Sequence, residues 1–124
     1  MFHKKSNRLI HQHTVDNSHL AEIIHPIHNK KDPQTPYSLS HAQLTPGKQT
    51  TPHKLTHSTE TYIIIKGHGE ITVNDEKEHV STGSILVVPP NTIQYIQNTK
   101  KTILEFYCIV SPPWQQHQDQ PVLS

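Results

Sequence analysis

The sequence predicts an all-β domain, an antiparallel sandwich or barrel, and three observations carry the prediction. No stretch after residue 30 holds a helical period. β-Branched and aromatic residues gather in short runs, such as TYIIIK over 61–66 and SILVV over 84–88. Glycine, proline and asparagine punctuate those runs every 8–12 residues or so, the spacing of short strands joined by turns.

The elements follow in order. At 124 residues the chain fits one domain, or one domain plus a tail, and can bury a core without disulfides. Residues 1–17 carry little pattern and read as an arm that can pair with a neighbouring sheet. The apolar segment 18–24 is either one helical turn or a first strand, and HNKKDPQTP over 28–36 is a loop. Residues 37–44 alternate weakly, and Pro46-Gly47 marks a turn. Strands are expected over 61–66, 69–73 and 78–82, the last two joined by a hairpin turn over 74–77. Further strands are expected over 84–88, 92–97 and 102–110, with a tight turn at Pro89-Pro90-Asn91. In the last strand Leu104, Phe106, Cys108 and Val110 share one face by the two-residue period, and that face is the expected core. Trp114 follows two prolines as a packing plug, which leaves a barrel over 18–114 and a polar tail over 115–124.

Composition narrows the partners. Eleven Lys and Arg face ten Asp and Glu, for a formal net charge of +1. The cations form no dense run interleaved with aromatics, so a nucleic-acid partner is not expected. No segment approaches the roughly 18 apolar residues of a membrane-spanning helix, and no secretory signal is visible. Cys108 is the lone cysteine, which points to a reducing compartment. The expectation is a soluble cytoplasmic protein. Twelve histidines are many for this length, and most read as surface residues. His11 and His13 could chelate an ion in a mobile arm. His53 and His57 alone stand in a pattern with chemical content.

That pattern is Gly47, five residues, His53, one residue, Leu55, four residues, Glu60, six residues, Gly67. A second runs Gly83, five residues, Pro89, then Asn91, Gln94 and Asn98. Together they resemble the two motifs of the cupin superfamily, G-x5-H-x-H-x3,4-E-x6-G and G-x5-P-x-G-x2-H-x3-N. The resemblance covers about residues 37–113, and the ending CIVSPPW is similar to that of small single-domain cupins related to mannose-6-phosphate isomerase. It implies a jelly-roll (double-stranded β-helix) barrel with a pocket inside.

In metal-binding cupins, two histidines and a glutamate of the first motif and a histidine of the second hold one divalent ion. By that resemblance His53 and Glu60 keep ligand positions, while Leu55 and Gln94 replace the other two. Leucine cannot ligate, whereas a glutamine carbonyl is a weak, hard oxygen donor. His57 shares the face of His53 if the strand stays extended, but four residues span about 13 Å, so only a bend would bring it near. The candidate metal set is therefore His53, His57, Glu60 and Gln94, for Mn, Fe, Ni or Zn, with a metal-free pocket as the alternative. Tyr62, Phe106 and Cys108 are expected pocket walls. Each residue also has a plainer role: His53 and Gln94 as polar pocket walls, Glu60 in a structural hydrogen bond, His57 solvated at the rim.

Two functions remain open. One is a metal-dependent isomerase, epimerase or dioxygenase acting on a small polar substrate, with the ion as Lewis acid. The other is a non-enzymatic barrel that binds a sugar-like or carboxylate ligand. A homodimer packed sheet to sheet, through the apolar pairs Ile63/Ile65 and Ile85/Val87, is compatible with both.

Overall fold

The computed structural model describes residues 1–14 and 17–122; the arm residues 15–16 and tail residues 123–124 lie outside that description. Eleven strands are present among the described residues: β1 (Gln12–His13), β2 (His19–Ile24), β3 (Ser38–Leu44), β4 (His53–Leu55), β5 (Thr59–Lys66), β6 (His68–Val73), β7 (Glu76–Ser81), β8 (Ile85–Val88), β9 (Gln94–Asn98), β10 (Leu104–Ser111) and β11 (Asp119–Pro121). They form a six-stranded sheet, ordered β1-β2-β3-β10-β5-β8, and a five-stranded sheet, ordered β11-β4-β9-β6-β7. The strand pairings are antiparallel. Two such sheets, with neighbours distant in sequence, make a jelly-roll barrel.

The core is the inner face of both sheets. Leu44, Ile64, Ile71, Val80, Ile96, Leu104 and Phe106 are almost wholly buried in one cluster. Each large aliphatic among them contributes about 2 kcal/mol by leaving water. Strand β10 buries Leu104, Phe106, Cys108 and Val110 on one face, as its alternation requires. The opposite face of the six-stranded sheet stays apolar but open. Ile63 pairs with Ile85 and Thr61 with Val87, and the Ile85 and Val87 side chains are 67% and 63% exposed.

Two tight turns close the barrel. Gly67 has φ of +93°, and a Cβ there would sit 2.6 Å from the Ile103 carbonyl, so no other residue fits. Asn91, at the place of a motif glycine, has φ of +59°. Asparagine tolerates that left-handed conformation, so the turn survives the replacement. The hairpin after β6 is tighter than the sequence reading, because Val73 pairs directly with Glu76 across Asn74-Asp75.

The chain ends do more than the sequence indicated. Segment 19–24 is a strand rather than a helical turn. Strand β1 of the arm pairs with β2, and β11 of the expected tail pairs with β4. Trp114 donates its indole N–H to Asp119 at 2.9 Å, which ties the polar end back onto the barrel.

Candidate functional site

A cavity of about 520 Å³ opens at one end of the barrel. Leu55, Tyr62, Phe106 and Cys108 line it, together with the polar side chains of His53 and Glu60. The arm contributes Ile10 and Gln12, so residues outside the expected barrel also shape the pocket. The volume suits one small organic molecule.

His53 and Glu60 lie on adjacent parts of the wall because β4 feeds into β5 after a short bend. The His53 Nδ1–H donates to the Thr51 carbonyl at 2.9 Å. That contact aims Nε2 at Glu60, whose Oε1 lies 3.9 Å away, an ion-pair distance rather than a hydrogen bond. Burial disfavours a charge on His53, but the Glu60 carboxylate outweighs it. With help from the Thr51 carbonyl and Asp119, the imidazole is raised to about 9. His53 is therefore an imidazolium at neutral pH. Glu60 is 8% exposed, and its Oε1 has no hydrogen-bond partner among the described residues. A buried acceptor left in that state favours a ligand that donates to it.

The two other residues of the expected metal set differ in placement, His57 beyond the end of β4 and Gln94 beside His53. Strand β4 ends at Leu55, and the bend over 56–58 carries His57 out of register with His53. His57 is exposed; its backbone N–H donates to Gln118 Oε1 at 3.1 Å, and its ring contacts the Thr56 hydroxyl at 2.6 Å. Gln94 is His53's cross-strand neighbour and is 1% exposed. Its Oε1 accepts the Tyr62 hydroxyl, so the one atom able to ligate an ion is already engaged. Leu55 fills the remaining ligand position with hydrocarbon. Of the four, His53 and Glu60 stand 3.9 Å apart, and among the described residues no third His, Cys, Asp or Glu gathers with them into a ligand set. A protonated His53 also has to shed a proton before it can ligate.

A different group of donors does converge. Glu22, His25 and His28 bring one potential ligand atom each to within 4.8 Å of one another, a Glu/His/His set that could hold a metal ion. Glu22 and His25 line the mouth of the same cavity. The turn between β2 and β3 builds this group around buried Asp32, which accepts the His25 N–H at 2.8 Å. As arranged, the set is a hydrogen-bonded network. The His28 Nδ1–H donates to the Glu22 carboxylate at 2.8 Å, and the His25 Nε2–H to the Trp114 carbonyl at 2.7 Å. The His25 and His28 rings stack at 3.5 Å with 6° between planes. An ion cannot lie in both parallel ring planes, so binding requires the exposed His28 ring to swing off the stack. The sequence signal for this group is E-x2-H-x2-H over 22–28, which the reading above split between an apolar segment over 18–24, helical turn or strand, and a loop over 28–36.

Comparison with known proteins follows the fold. A family model described as a cupin domain matches residues 40–110. The chain is 34% identical over 110 residues to the uncharacterized protein MJ1618 of Methanocaldococcus jannaschii, covering 89% of this chain and 85% of that protein. A predicted oxalate decarboxylase from Thermotoga maritima aligns with TM-score 0.74 at 21% identity, covering 87% of this chain and 96% of that one. The polyketide cyclase RemF from Streptomyces resistomycificus aligns with TM-score 0.83 at 12% identity, covering 100% and 87%. At such identities the two structures share the fold with this chain.

Proposed function

We propose, for a chain that belongs to the cupin domain family, that the barrel binds a small hydroxyl-bearing organic molecule and moves protons on it through His53 and Glu60. The observation that carries this reading is the buried Glu60 Oε1, without a hydrogen-bond partner among the described residues, 3.9 Å from the His53 imidazolium on the cavity wall. A ligand hydroxyl donating to Glu60 satisfies that oxygen, and a ligand oxygen beside His53 Nε2 receives its proton. The carboxylate acts as base and the imidazolium as acid. An isomerase or epimerase, in which a proton leaves one atom and another is delivered nearby, suits such a pair. A barrel that only binds makes the same contacts without turnover.

The test is a screen of monosaccharides, nucleosides and phenols against the chelator-treated protein, read on the His53 ring resonances. A binder that moves those resonances in the wild type and is lost in Glu60→Gln supports the reading. Binders that are indifferent to Glu60→Gln and His53→Gln would sink it.

A second reading rests on a separate observation, the Glu22/His25/His28 set. There a divalent ion such as Mn, Fe, Ni or Zn binds at the cavity mouth rather than on the barrel wall. Elemental analysis of untagged protein separates the two places. Stoichiometric metal that survives His53→Ala and disappears in His28→Ala belongs to the mouth. Metal lost in His53→Ala belongs to the wall and contradicts the proton-transfer reading.

A further inference from the structure

Resting on the pocket reading above, we infer that the barrel takes an uncharged or cationic ligand and rejects anions, so that its substrate class is a hydroxyl- or amine-bearing molecule rather than a sugar phosphate or a carboxylate. The charges that line the cavity carry this. Three carboxylates reach it, Glu22, Glu60 and Asp119, and no lysine or arginine is among the described residues that line it.

The charges do not cancel. His53 and Glu60 face each other at 3.9 Å and offset one another. Asp119 is met by the Trp114 indole N–H at 2.9 Å, a hydrogen bond that orients the carboxylate without neutralising it. Glu22 is met by His28, which compensates it only while protonated. His25 adds no compensating charge as bonded, because its Nδ1 accepts the His28 backbone N–H at 3.1 Å and an imidazolium has no acceptor nitrogen. Lys4, Lys5 and Arg8 border a neighbouring groove that also touches Glu22 rather than this cavity, and the Lys4 ammonium, still charged, donates to the Ile23 carbonyl at 2.7 Å. The rest of the polar lining consists of hydroxyls and an amide.

A phosphate or carboxylate entering this space would meet an excess of negative charge between low-dielectric walls, where repulsion is least screened. Its ionised group would also offer only acceptors to Glu60 Oε1, which lacks a donor. An alcohol or an ammonium group brings the donor, and the ammonium gains from Glu22 and Asp119 as well. Anionic ligands typical of phosphate pockets are held by Arg, Lys or clustered backbone N–H groups, and the lining side chains include no Arg or Lys.

The experiment uses one molecular frame with three charges: tyramine, tyrosol and para-hydroxyphenylacetate. Each is titrated into the chelator-treated full chain at neutral pH and low salt, with binding read on the His53 ring resonances so that binding elsewhere is not counted. The amine and the alcohol are expected to bind at least ~10-fold more tightly than the acid. Glu22→Gln and Asp119→Asn should each narrow that gap, and added salt should narrow it in the wild type. Equal or tighter binding of the acid overturns the inference while leaving the pocket reading intact. An order unmoved by both variants also overturns it, because the discrimination would then arise elsewhere. If none of the three moves the His53 ring at millimolar concentration, the pocket reading itself falls.

Discussion

Protonation makes His53 a pH-dependent part of the fold. Its folded value of about 9 lies above the ordinary 6.5 of an imidazole. The stabilisation is therefore complete below pH 6.5 and is lost as pH rises through 9. Two and a half units correspond to about 3 kcal/mol at most. Urea unfolding of the wild type should show stability falling across that window, while His53→Gln should be flatter there and less stable at pH 6. A wild type equally stable at pH 6 and pH 10 would show that the pair is not charged as described. The resemblance of the first motif to the cupin pattern was enough to select His53 and Glu60, which the structure brings to 3.9 Å. The engagement of Gln94 was hidden, since its partner Tyr62 comes from another sheet. Glu22, His25 and His28 were hidden for a related reason: their convergence depends on a turn organised by Asp32.

The bend after β4 decides which residues can reach the pocket. Gln118 pins it from the far end of the chain. The side chain accepts the His57 N–H at 3.1 Å and donates to Ser58 Oγ at 2.8 Å, and the residue's backbone carbonyl accepts the Thr56 N–H at 3.0 Å. Gln118→Ala removes the two side-chain bonds, leaving the His57 N–H without its acceptor, and should cost about 1–3 kcal/mol in chemical denaturation. A change under a few tenths would mean the bend holds itself. This element explains why His57 is displaced: an extended strand would have kept it on the face of His53, but the chain leaves the strand at Thr56 to meet Gln118. Nothing in DQP over 119–121 reads as a strand, so the pairing of β11 with β4, and with it the bend, had no local signal. Strands β5 and β8 were legible from their β-branched composition, and β10 from the alternation that burial on one face enforces.

At the scale of the molecule, the two-sheet barrel was readable from turn residues and β-rich runs, since each short strand needs partners on both faces of one core. The pocket's charge was not, because Asp119 comes from a stretch that read as tail and Glu22 from a first segment read only as apolar. The open apolar face around Ile63, Ile85 and Val87 is the surface that a second copy of the chain would cover, as proposed from the sequence. Val87→Lys should then move the protein from dimer to monomer in light scattering without loss of folding; a wild type that is monomeric at high micromolar concentration would remove that proposal. The central claim is that a charged His53–Glu60 pair faces the pocket. It is tested most directly by NMR titration of the His53 ring in chelator-treated protein. The account predicts a midpoint near 9 in the wild type and a clearly lower one in Glu60→Gln, where burial is opposed only by the Thr51 carbonyl and Asp119. A His53 ring that is neutral at pH 7 in the wild type, or whose titration ignores Glu60→Gln, would contradict it.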